Sequence, residues 1–168
     1  HCGPGFCATR PSSNSGWLGF ALKTYSVLML YERGTGRSTP VTARTLSRVG
    51  DAAAQADYLK LFRSDSIVQD CELVRRDLIG SEKWSVLGQS YGGFCAVHYL
   101  CAAPEGLAQV LLTGGIPPLN ATALDVYRKT FASSARRNDE FYKRYPADQS
   151  IVQRIAERLD QGDVYLPS

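Results

Sequence analysis

Residues 84–94, W-S-V-L-G-Q-S-Y-G-G-F, constrain this chain more than any other stretch, because they set one serine between two glycines at the end of a short apolar run. The run 84–87 reads as a buried strand, and 91–102 as a helix whose Phe94, Val97, Leu100 and Cys101 share a face at helical spacing. A strand that turns into a helix over one residue leaves no room for side chains at Gly88 and Gly92. It also forces Ser90 into a strained backbone conformation that pushes its hydroxyl into the open. A serine so placed attacks an acyl carbon, and the backbone N–H of Tyr91, at the helix N-terminus, suits the negative charge that develops on the acyl oxygen. The bare Gly-x-Ser-x-Gly string also arises by chance; the strand-like run before it and the helix-like run after it give it weight here.

The length, 168 residues, is about that of one domain, and 44% apolar residues is ordinary for a globular protein. A net charge of +3 is mild, and the basic pairs Arg75-Arg76, Arg136-Arg137 and Lys143-Arg144 are interrupted by acids, as on solvated helix faces, so no nucleic acid is expected as a partner. The longest apolar runs, such as 27–31, reach four or five residues, against roughly 18 for a membrane span. With no secretory pattern at the start, no membrane association and a cytoplasmic location are expected. Five cysteines, an odd number, then point to reduced thiols rather than a disulfide framework. Cys2 and Cys7 flank a glycine-proline loop beside His1, but no second pair stands at a zinc spacing, so neither metal nor cofactor is expected.

The remaining segments alternate. A short helix at 15–23 precedes a buried-strand run at 25–31, which empties into the turn-rich E-R-G-T-G-R-S-T-P. Helix is expected at 51–62, and more clearly at 64–80, where Ile67, Cys71, Val74 and Leu78 make one stripe, Ser64 caps the start and Gly80 the end. After the serine helix comes a stop at Pro104 and an apolar strand at 107–113. Strand, helix, strand, helix, strand implies a parallel sheet with crossover helices, an α/β fold. Beyond Pro118, Leu124, Tyr127 and Phe131 mark one amphipathic helix and Ile151, Ile155 and Leu159 another, with Phe141, Tyr142 and Tyr145 as an aromatic patch expected in the core.

Taken together, these motifs resemble the prolyl aminopeptidases (proline iminopeptidases) of the α/β-hydrolase fold, in particular the longer type with a G-Q-S-[FY]-G-G-F elbow. H-C-G-P-G-F at 1–6 is similar to that family's H-G-G-P-G oxyanion loop, and E-R-G-T-G-R-S at 32–38 to its D-Q-R-G-T-G-x-S loop. S-I-V-Q-D-C-E at 66–72, P-E-G-L at 104–107 and L-L-T-G-G-I-P-P at 111–118 follow in the family's order. The resemblance implies a partial α/β-hydrolase core over 1–118 and the beginning of a helical cap over 119–168. It also implies release of N-terminal proline from peptides through a Ser, Asp, His triad without metal, with Ser90 as nucleophile and Tyr91, Cys2 and Gly3 around the oxyanion. Two positions depart from the family: Cys2 replaces a glycine of the oxyanion loop, and Tyr31 replaces an aspartate near the floor of the site. Both bear on activity.

The triad is incomplete as the sequence stands. The base should follow the serine in chain order, yet the only histidine after Ser90 is His98, in the serine's own helix and roughly 12 Å along it. The acid and base are therefore expected beyond Ser168. H-C-G-P-G-F reads as a loop leaving an absent strand, and Leu166-Pro167-Ser168 closes no element, so a piece of a longer protein is expected. Three other readings compete. A nucleotide-binding loop at Gly34-Thr35-Gly36 lacks its third glycine, Thr39 standing there before Pro40. An esterase or amidase of other specificity would share the fold and the serine. A non-catalytic remnant would keep the core and lose the triad.

Overall fold

Two parallel strands, β1 (Trp84–Gln89) and β2 (Leu107–Thr113), make the sheet among the described residues, which are 4–8 and 11–162 of a computed structural model. The register runs from Trp84 opposite Leu107 to Gln89 opposite Thr113, with one irregularity between Trp84 and Ser85. A parallel pair needs a crossover, and helix α5 (Tyr91–Ala102) supplies it, followed by a 3₁₀ turn, Pro104–Gly106. Pro104 ends α5 because proline has no N–H to donate and bars helical backbone at Ala103, which sits at φ −150°. Ahead of the sheet lie α1 (Gly16–Ala21), α2 (Ala43–Leu46), α3 (Ala52–Lys60) and α4 (Ser64–Ile79). The Asp51 carboxylate caps α3 by accepting from the Ala54 N–H at 2.9 Å, and Gly80 ends α4 at φ +62°.

The expected strand at 25–31 does not form: it makes no ladder with β1 or β2. Among the described residues β1 pairs only with β2, so the segment has no strand beside it. The cap of α4 also differs, since Arg63 takes the N-cap position and Ser64 is the first helical residue.

The core gathers Val68, Tyr99, Ala103 and Leu107, with Cys71, Trp84, Val86 and Val110 against it. Both helices that build it present faces other than the expected ones. On α5 the buried side is Gly92, Gly93, Cys95, Ala96 and Tyr99, while Phe94 and Leu100 are exposed and Val97 is half-buried. Small residues face inward because α5 lies close to the sheet: a side chain at Gly93 would run into the Gly115 carbonyl. On α4 Ile67 is buried as the spacing predicts and Cys71 and Val74 are half-buried, but the rest of the buried side is Val68, Glu72 and Arg75, and Leu78 is exposed.

Glu72 and Arg75 are buried because they satisfy one another. The Arg75 guanidinium donates from Nε and Nη2 to the two Glu72 oxygens, both at 2.8 Å. Arg75 Nη1 also donates to the Gly80 carbonyl at 3.1 Å and the Glu82 carbonyl at 2.6 Å, fixing the turn that leads into β1. From α5, the Tyr99 hydroxyl donates to Glu72 Oε1 and accepts from Trp84 Nε1 at 3.0 Å. The fork of Arg75, then the Tyr99 hydroxyl and the nearby Arg76, hold the Glu72 carboxyl down at about 2.

A second unit starts at Pro118. Helix α6 (Ala123–Arg144) opens on a reciprocal capping box between Thr122 and Asp125, and Pro146 at the first position of α7 (Pro146–Asp160) separates the two helices. Both helices fall where the apolar spacing puts them, but the aromatic patch is not core. The Phe141 and Tyr145 rings meet at a tilt, 5.0 Å between centroids, and both stay exposed; neither helix buries a residue.

Glu72→Gln in the full-length protein is expected to cost about 3–5 kcal/mol in chemical denaturation, because it strands a buried guanidinium. The carboxyl's folded-state value lies below its ordinary 4.5, so the stabilisation is full above 4.5 and is lost as pH falls through 4.5 toward about 2. The variant's acid unfolding curve should therefore be flatter in that window.

With two strands and large apolar side chains such as Leu87 and Leu111 exposed on them, these 168 residues expressed alone should lack a cooperative melt and bind ANS. A sharp calorimetric transition with strong amide protection would overturn that expectation.

Candidate active site

Ser90 stands between the last residue of β1 and the first of α5, at φ +54° and ψ −117°. For a residue with a Cβ this region costs on the order of 1–3 kcal/mol, so the surroundings must hold it there. They do so from three directions. The Ser90 N–H donates to the Thr113 carbonyl at 3.1 Å, extending the strand ladder by one bond, and the Ser90 carbonyl accepts from the Gly93 N–H at 2.9 Å. Gly88 lies against the Gly92 carbonyl, as the sequence spacing requires, and Gly115 lies against the Ser90 carbonyl; a side chain at either would collide with backbone. The Ser90 side chain is left exposed at the helix N-terminus.

Tyr91 opens α5, where first-turn N–H groups have no acceptor within the helix. Its half-buried hydroxyl interacts with Cys95 and is pushed up to about 12, first by burial and then by the thiol beneath it. Cys95 and Cys71 are likewise driven up by burial, to about 11 and about 12, so neither thiol carries appreciable thiolate at neutral pH. His1, Cys2 and Gly3 lie outside the described residues. His98 lies about two turns along α5 from Ser90, and its ring Nδ1 is 3.4 Å from the Ser64 hydroxyl at the start of α4. Among the described residues no group of three or more His, Cys, Asp or Glu is placed to hold a metal, Cys7, Cys71, Cys95 and Cys101 are free thiols, and no helix is long and apolar enough to cross a membrane.

Two features at this site escaped the sequence reading. Glu32 is a buried acid whose carboxyl is raised by desolvation and whose charge bears on Tyr91, Cys95 and Cys71. Its neighbour Arg33 makes a two-point ion pair with Asp70 of α4, Nε to Oδ2 at 2.6 Å and Nη2 to Oδ1 at 2.5 Å, and donates from Nη1 to the Leu61 carbonyl at 2.9 Å. Both residues stand in a motif whose glycines drew the attention; a charged pair 37 residues apart has no periodic signal. At the replaced position, the Tyr31 ring covers Gly36, and the Tyr31 carbonyl accepts from the Ser38 hydroxyl at 2.8 Å.

Residues 1–159 match the family described as alpha/beta hydrolase fold. The chain is 48% identical over 166 residues to a proline iminopeptidase of Aeromonas sobria, an alignment covering 99% of this chain and 39% of that protein. It is 45% identical over 170 residues to a proline iminopeptidase of Aspergillus aculeatus, covering 98% of this chain and 38% of the other. A proline iminopeptidase of Lactobacillus helveticus is 28% identical over 80 residues, 47% of this chain and 27% of that protein. The chain thus spans about two-fifths of the length of the first two relatives. A left-handed serine locked between parallel strand and helix is the structural mark of the group that the match over 1–159 identifies, and the chain belongs to the α/β-hydrolase fold family.

Proposed function

We propose that the full-length protein is a serine aminopeptidase that releases N-terminal proline from peptides through an acyl-enzyme at Ser90. The observation that carries this reading is the exposed Ser90 hydroxyl on a strained elbow, in a chain 48% identical to a proline iminopeptidase. Ser90 Oγ attacks the prolyl carbonyl carbon while its proton passes to a base. The tetrahedral oxyanion is held by the Tyr91 N–H and by a second N–H from the Cys2-Gly3 segment. Collapse expels the peptide amine, which takes the proton, and water then releases proline from the serine. His98 is turned to Ser64, so the base and its acid are assigned to the length of the relatives that this chain does not span. Residues 119–168 are read as the beginning of a helical cap, and the protein as working in the cytoplasm, where thiols such as Cys95 stay reduced.

A fluorophosphonate probe on the full-length protein should label Ser90 and nothing else in this chain. Ser90→Ala should abolish labelling and cut kcat by several orders of magnitude, since the other triad members act only through the serine. Labelling that persists in the alanine variant would move the nucleophile elsewhere.

Substrate class is decided by comparing prolyl arylamide with other aminoacyl arylamides and simple esters. Preference for the prolyl compound in kcat/KM is expected. Turnover of esters without prolyl arylamide would make the protein an esterase on the same elbow.

A further inference from the structure

Residues 32–38 form a turn that is stiff in itself. The Gly34 N–H donates to the Ser38 carbonyl at 3.0 Å, the Thr35 N–H and hydroxyl both donate to the Glu32 carbonyl, at 3.1 and 2.8 Å, and the Ser38 N–H donates to the Thr35 carbonyl at 2.8 Å. Such a unit moves as one piece. Arg33 fastens it to the body of the fold, gripping Asp70 of α4 with two parallel hydrogen bonds and the end of α3 through the Leu61 carbonyl. At one end of the turn Glu32 is buried, and α4, which the Arg33 fork grips, packs against α5. On another side, Gly36 sits against Cys7 of the glycine-proline loop, with no space for a side chain between them.

We propose that the Arg33–Asp70 pair is a positioning device for the Ser90 site: it fixes to α4, which packs on the nucleophile's helix, the turn against which the glycine-proline loop rests. The inference rests on the reading of Ser90 as nucleophile. Neither residue touches the reacting atoms; the pair acts by fixing where the turn, and Cys7 against it, stand relative to α4. The side chains are about one-third exposed, so the value of the pair lies in its two-point geometry more than in burial. A fork that cannot rotate holds direction as well as distance, which a lysine in the same place would not. Displacement of a positioning element by about 1 Å can cost about a hundredfold in rate without unfolding anything.

The test uses Arg33→Gln, Asp70→Asn and Arg33→Lys in the full-length protein, with three measurements: the rate of fluorophosphonate labelling at Ser90, kcat and KM on prolyl arylamide, and the melting temperature. Positioning predicts that Arg33→Gln and Asp70→Asn slow labelling and lower kcat by about tenfold or more with KM within about twofold, and that Arg33→Lys falls between them and the native protein. A lowered melting temperature with native labelling rate and kcat would show a merely structural pair and overturn the proposal, while leaving Ser90 as nucleophile intact. Should the two charge-removing variants not fold, Arg33→Lys decides: native rates overturn the proposal, slowed labelling in a folded protein supports it. If the unsubstituted protein is not labelled at Ser90, the functional reading fails and this inference fails with it; if it is labelled but cleaves no prolyl arylamide, labelling rates still decide the role of the pair.

Discussion

The carboxylate of Glu72 is where the elements around the sheet meet. It binds the guanidinium of its own helix, and through Arg75 it reaches the two carbonyls of the turn before β1. Through the Tyr99 hydroxyl it joins α5, and through Tyr99 it reaches the indole of Trp84 at the start of β1. A buried charge is tolerable only when its lone pairs have donors, and here Arg75 Nε and Nη2, the Tyr99 hydroxyl and Arg76 Nη2 all converge on it. Gly106 completes the enclosure, because any side chain there would strike Glu72 and Arg75. The consequence for the site is indirect but firm: β1, α5 and the turn into β2 are tied at the end away from Ser90, and the elbow forms where those tied elements converge again.

What could be read in the sequence was what backbone sterics write into it. Ser90 needed glycine on either side, and Gly88 is in fact pressed against the Gly92 carbonyl. Pro104 ended α5, Gly80 ended α4, and the limits of β2 fell at 107–113 for the same reason: a proline or glycine leaves a mark that context does not erase. What misled was the assumption that the larger apolar residues point inward. On α5 the first turns bury Gly92, Gly93, Cys95 and Ala96, because close approach matters more there than apolar volume, and Phe94 is turned outward, while Tyr99 enters the core further along. On α4 the inward positions pass to a glutamate and an arginine, which no count of apolar spacing would select. The 25–31 run has strand composition, yet a strand exists only against a neighbour. Likewise Arg33 and Asp70 meet across 37 residues of chain, and only the fold brings them together.

The backbone of Ser90 has a further meaning for how the molecule acquires its chemistry. Its left-handed conformation is anchored by the Thr113 carbonyl, on a strand reached only after α5 has been laid across the sheet. A parallel crossover is a non-local event: loop closure must be met before any ladder bond rewards it, so the anchoring bond belongs to the later stages of folding. Before then nothing holds the serine out of ordinary backbone space, and its hydroxyl is no different from that of any other serine. If Ser90 is the nucleophile proposed above, its reactivity is conferred by tertiary closure. On the same proposal, a nascent or partly unfolded chain carries the residue without the hazard of an activated nucleophile.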